Sequence, residues 1–99
     1  MPIYKAPVED TLFVLDEVLQ LARYNNLPGF ADATPDMVEA ILTEAGRISE
    51  EVLLPVNAAG DAEGCTRHED GSVTTPNGFR EAYAEYRDGG WIGLAIPEE

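Results

Sequence analysis

The sequence runs to 99 residues, 44% of them apolar and 25% charged, and its nineteen acids against six basic residues leave a net charge of −13. That length suits one small domain, burying roughly 60–70% of the surface its unfolded chain exposes, and the composition is that of a globular chain rather than a disordered one. So acidic a surface repels phosphate backbones and anionic lipid headgroups, which argues against nucleic-acid binding and against a membrane-surface role.

Residues 1–9, MPIYKAPVE, hold two prolines and are expected to form an extended lead-in. A first helix is predicted over DTLFVLDEVLQLARY, residues 10–24, with Asp10 as N-cap and Leu12, Leu15, Leu19 and Ala22 on one stripe. Phe13, Val14, Val18 and Leu21 are apolar as well, so this helix calls for burial on more than one side. Pro28 and Gly29 mark a turn.

The second helix has the clearest start. Thr34 is a capping residue, Pro35 suits the first helical position, and Asp36 meets the positive end of the helix dipole. Val38, Ile41, Leu42, Ala45, Ile48 and Val52 make one apolar face. Gly46 interrupts it at about 1 kcal/mol relative to alanine, which is tolerable where another segment packs closely. Pro55 is expected to end or kink the helix near Leu54.

The stretch VNAAGDAEGCTRHEDGSVTT, residues 56–75, reads as loop, with a tight turn at Asp70–Gly71 in a short hairpin. A third helix follows: Thr75 caps, Pro76 opens, Phe79, Ala82, Tyr83 and Tyr86 share a face, and Gly89 or Gly90 stops it. The tail from Trp91 to Ile96 is apolar and expected to be extended. The fold class is therefore all-α: a small bundle of about three helices with a polar loop or hairpin before the last and an apolar tail.

Groups that could carry chemistry are few. Cys65 is the only cysteine, so no disulfide forms within the chain, and a cytoplasmic setting is the default. The start MPIYKAPVED lacks the basic-plus-apolar pattern of a signal peptide, and no apolar run approaches the ~20 residues of a membrane span. Asp61, Glu63, Cys65, His68, Glu69 and Asp70 invite a metal reading, but the spacing matches neither zinc-ligand pairs nor a calcium loop; a solvated acidic loop is the simpler account. Cys65 and His68 lack a third group to orient the histidine as a base. Gly89–Gly90 lacks the spacing and the lysine of a phosphate loop. Tyr83 and Tyr86 could stack a ligand, although aromatics at helical spacing more often belong to a core. No catalytic, cofactor-binding or metal-binding residue is assigned.

The order of the pieces is nonetheless familiar. EEVLLPVN..GD.EG, followed by TTPNGFREAY......GWIGLAIPEE, resembles the N-terminal helical region of the FAD-dependent acyl-CoA dehydrogenases, in the large-subunit branch that includes the 3-methylmercaptopropionyl-CoA dehydrogenase-like enzymes. The lead-in YKAPVEDTLFVLDEVL and LPGFAD resemble that branch's N-terminal extension.

The resemblance implies that residues 1–33 are an extension carrying the first helix and residues 34–99 the start of the helical domain. The FAD-binding β-domain and the catalytic C-terminal domain would lie outside this chain. In the family a glutamate base removes the α-proton of an acyl-CoA thioester and a hydride passes to flavin. None of those positions falls within these residues, so Glu44, Glu50, Glu51 and Glu98 read as surface acids rather than as that base. The implied role is packing against the β-domain, shaping one side of the acyl pocket and contributing to subunit contacts, with the chain inactive by itself. The apolar first helix and the Trp91–Ile96 tail are expected to make the isolated chain self-associate. The alternative is a free-standing acidic helical module that binds a protein partner.

Overall fold

The computed structural model describes residues 3–97. It is mostly helical, with one two-stranded hairpin, so the all-α class holds. Contacts group into two compact units, Tyr4–Glu50 and a second made of Ile3 with residues 51–97.

Within Tyr4–Glu50, helix α1 spans Val8–Phe13 and passes into a π turn over Val14–Val18. Its N-cap is Pro7, not Asp10, which falls in the first turn instead. Proline serves here because its fixed φ suits a helix start, and Thr11 closes the turn through its backbone N–H, 2.9 Å, and its hydroxyl, 2.8 Å, both donated to the Pro7 carbonyl. The helix does not reach Tyr24. Leu19 N–H closes the π turn on Val14, Gln20 takes a left-handed φ of 50°, and Leu21–Tyr24 is a separate 3₁₀ turn. A non-glycine residue in that region is uncommon and ends the helical ladder. The break leaves Leu12 and Leu15 half-buried, whereas Leu19 and Ala22 lose their place on the stripe and are exposed.

From Tyr24 to Ala33 the chain descends through three consecutive turns: Leu27 donates to Tyr24, Phe30 to Leu27, and Ala33 to Phe30. Gly29, at φ 84°, supplies the bend expected of it, and the Tyr24 and Phe30 rings meet with centroids 6.5 Å apart.

Helix α2, Pro35–Arg47, begins as its sequence requires. The Thr34 hydroxyl accepts the Met37 N–H at 3.3 Å, and Pro35 opens the helix. Its apolar face is the expected one: Val38, Ile41, Leu42 and Ala45 are half-buried, and Ile48 is only 5% exposed. Gly46 is buried because the lead-in lies across it; a Cβ there would stand 3.1 Å from Ala6 Cβ and 3.4 Å from a Val8 methyl. Close approach of a second segment is the reason a glycine is tolerated mid-helix. Glu50 fastens the same lead-in. Its carboxylate accepts the Ala6 N–H at 3.1 Å and stands 3.8 Å from Lys5 Nζ, so Glu50 is a partly buried strut and not simply a surface acid.

Pro55 does not end the helix. The α pattern gives way to a π segment at Ile48–Leu53, and α3 resumes over Leu54–Glu63 with Pro55 in its first turn. A proline ring clashes with the carbonyl four residues back and lacks the N–H that would bond it. Here Pro55 falls in the first turn of α3, directly after the π segment, where its missing N–H costs no bond of the α3 ladder. Residues 56–63, expected as loop, are therefore helical.

Within the second unit, β1 (Thr66–Arg67) and β2 (Val73–Thr74) pair antiparallel, Thr66 opposite Thr74 and Arg67 opposite Val73. The tip is the turn the sequence called for: Gly71 N–H donates to His68 at 3.0 Å with Gly71 at φ 88°, and His68 N–H donates to Ser72 at 2.8 Å.

Helix α4, Phe79–Asp88, starts later than expected. Its N-cap is Gly78 at φ 88°, not Thr75, because Pro76 to Phe79 forms a turn of its own. It stops where foreseen, with Gly89 as C-cap and Gly90 left-handed at φ 82°. The tail is coiled rather than extended: Trp91–Gly93 is a 3₁₀ turn, followed by a turn in which Ile96 N–H donates to Gly93. Glu98 lies outside the described residues.

Candidate functional site

In the second unit α3 and α4 pack side by side and leave an open apolar cleft of about 360 Å³. Leu53, Val56 and Asn57 form one wall, and Phe79, Ala82, Tyr83 and Tyr86 the other. Spacing builds both walls: 53, 56 and 57 recur on one helical face, as do 79, 82, 83 and 86.

Two glycines set the separation of the walls. Phe79 lies directly over Gly60, and a Cβ on Gly60 would overlap the ring. Gly78 rests against Val56, where a Cβ would come within 2.8 Å of a methyl carbon. Ala82 is 6% exposed between the helices, whereas Tyr83 is 56% exposed at the mouth. The tyrosines thus neither fill a closed core nor stack on one another; they line an open surface. Among the described residues no charged side chain lines the cleft, and Asn57 is the one amide on its walls. Such a lining recognises apolar surface and contains no paired nucleophile and base.

The loop cluster weighed as a metal site is dispersed. Asp61 and Glu63 lie on α3 rather than in a loop, and Glu63 accepts the Asn77 N–H at 3.2 Å. His68 Nε2 pairs with the Thr74 hydroxyl at 2.6 Å, and Asp70 accepts the Ser72 hydroxyl and N–H at 2.6 and 2.9 Å. Those Ser72 hydrogen bonds hold the Asp70 carboxyl below the usual aspartate range. Cys65 is exposed. Among the described residues no three His, Cys, Asp or Glu side chains are gathered to hold an ion.

Of the glutamates read as surface acids, Glu44 is bound by the Arg47 guanidinium at 2.7–3.1 Å, which lowers its pKa. Glu51 is exposed. Neither lines the cleft. Among the described residues no helix is long and apolar enough to cross a membrane.

The cleft's first wall was hidden in the sequence because Pro55 suggested that the helix was over. A usable signal was present: Leu53, Val56 and Gly60 continue the helical period, and proline is at home in a first turn.

No family model matches the chain. Over 96 residues it is 35% identical to the 3-methylmercaptopropionyl-CoA dehydrogenase of Ruegeria pomeroyi, a match covering 97% of this chain and 16% of that relative. The chain therefore spans about a sixth of the relative's length, and the resemblance carried by its motifs holds: it is a homologue of an acyl-CoA dehydrogenase over the stretch the two share.

Proposed function

We propose that this chain works as helical packing surface of a flavin-dependent acyl-CoA dehydrogenase and supplies no catalytic group of its own. The observation that carries this is the 35% identity across 97% of the chain. In this role residues 1–33 form an extension and residues 34–99 the start of a helical N-terminal domain. The α,β-dehydrogenation of an acyl-CoA, its glutamate base and FAD belong to the larger enzyme. The cleft itself does not suit FAD, since it offers no charged group to a pyrophosphate. Its apolar walls suit instead the rest of the subunit, where they cover a β-domain and help shape one side of an acyl pocket. The working compartment is the cytoplasm.

Exposed apolar groups support a packing role. Phe13 is 59% exposed, Val18 61%, Leu94 62% and Ile96 65%. Solvent contact of that extent on large apolar side chains marks interface surface. By itself the chain should therefore self-associate through these groups.

A chimera tests the proposal. This sequence replaces the matching stretch of the Ruegeria relative, and the purified protein is assayed for bound FAD and for flavin bleaching by acyl-CoA. Retention of both supports the reading. A chimera that folds, by circular dichroism and gel filtration, yet holds no flavin overturns it. Sequencing the coding frame around these residues is the quicker companion: a β-domain encoded in the same frame supports the role, and its absence favours a free-standing interaction module.

A further inference from the structure

Between the hairpin and α4 lies the dipeptide Asn77–Gly78. Asn77 is exposed, and its side chain makes no hydrogen bond among the described residues. Its own N–H is held by Glu63 at 3.2 Å. Gly78 has no side chain to shield its nitrogen, and its N–H finds no acceptor among the described residues. An unengaged amide nitrogen thus follows an unengaged side-chain amide.

We propose that Asn77 is a site of spontaneous covalent modification. The Gly78 amide loses its proton and its nitrogen attacks Asn77 Cγ. A new N–Cγ bond forms, the Cγ–Nδ2 bond breaks, and ammonia leaves with the proton. Water then opens the resulting succinimide at either carbonyl, leaving aspartate or isoaspartate at position 77. The balance is one water consumed and one ammonia released, with no oxidant or reductant.

The other amide and Asp–Gly positions are guarded. At Asp70–Gly71 the attacking nitrogen is tied to the His68 carbonyl at 3.0 Å and the carboxylate is held by Ser72, and at Asp88–Gly89 the Gly89 nitrogen donates to the Glu85 carbonyl at 3.0 Å while Arg87 holds the carboxylate at 2.9 Å. After Asn26 the Leu27 nitrogen donates to Tyr24 at 2.9 Å. Asn57 lies inside α3, where the ladder engages the next nitrogen. Asn25 precedes Asn26, which unlike glycine carries a side chain beside the attacking nitrogen.

The location gives the reaction a structural consequence. An isoaspartyl link adds a methylene to the main chain immediately before Gly78, which rests on Val56, and one residue before Phe79, which lies over Gly60. The start of α4 then shifts along α3 and the cleft opens. The product also sets a second carboxylate beside Glu63.

The test is to incubate the chain in mildly alkaline buffer, folded and in urea, followed by intact mass, peptide mapping and labelling by an isoaspartyl methyltransferase. The expected result is a gain of about one dalton confined to the Asn77 peptide, methyltransferase labelling, and a folded-state rate of the same order as in urea. Asp70 should isomerise in urea only, and Asn77→Gln, whose ring closure is disfavoured, should remove the signal. Protection of Asn77 in the folded chain, or faster change at Asn25, Asn26 or Asn57, overturns the proposal.

Discussion

Phe79 lies so close over Gly60 that one added methyl would overlap its ring. The contact joins residues nineteen positions apart and sets the distance between the walls of the apolar cleft. It also makes the sign of a single substitution depend on its neighbour.

Gly60→Ala adds about 1 kcal/mol of helix propensity. With Phe79 in place the ring must leave its seat, at an overpacking cost of ~1–3 kcal/mol. The substitution should therefore destabilise the parent. In a Phe79→Ala background, where the ring no longer overlies the site, it should stabilise by up to about 1 kcal/mol. Urea melts of the four proteins check this as a double-mutant cycle; equal effects in both backgrounds would remove the contact from the account.

Thr34→Ala should cost about 1 kcal/mol, because the Met37 N–H loses its acceptor. Thr34→Ser should cost much less, since the hydroxyl survives. A thermal melt unchanged by Thr34→Ala would show that the helix start is held by other means.

Asp70 titrates below the usual aspartate range because Ser72 hydrogen-bonds its carboxylate. A folded pKa depressed below the unfolded one contributes stability that is present above the unfolded value and is lost as pH falls through the folded value. For Asp70 that window opens below pH ~4. The group is fully exposed, so the local effect is the one to follow. Titration by NMR should place the Asp70 carboxyl midpoint below an ordinary aspartate's, and Ser72→Ala should raise it. An Asp70 midpoint indifferent to Ser72→Ala would discard the hydrogen bond as the cause.

A net charge of −13 makes the folded chain repel itself. Moderate sodium chloride shortens the screening length to about 10 Å or less and should raise the melting temperature. Melting that is flat or falls with added salt would show that attractive pairs such as Glu44–Arg47 outweigh the repulsion.

Self-association should weaken when a charge replaces an exposed apolar side chain. Val18→Glu and Leu94→Glu should each lower the average mass in sedimentation without changing the helical circular dichroism. A parent chain that is monomeric at high concentration would end the idea.

Some of this was legible from a few neighbouring letters. Thr34–Pro35–Asp36 announced a helix start, Asp70–Gly71 a hairpin tip and Gly89–Gly90 a helix stop. Each is a rule in which the side chain or φ of one residue meets backbone groups two to four positions away. The Val38–Ile48 face was legible for the same reason, since helical period is local. The cleft was legible on one wall only. Phe79, Ala82, Tyr83 and Tyr86 declared a shared face, while Leu53 and Val56 were obscured by Pro55.

By itself, then, the sequence determined the all-α class, the acidic surface, the caps and turns, and the kinship with an acyl-CoA dehydrogenase. The tertiary structure decided that a π turn carries the helix past Pro55, that Glu50 fastens the lead-in at Ala6, and that Gly46 and Gly60 are sites of close approach. The physical reason is range. Caps and turns are settled within a few residues, but Ala6 on Gly46 and Phe79 on Gly60 join segments far apart in the chain, and only packing determines which side chain arrives there.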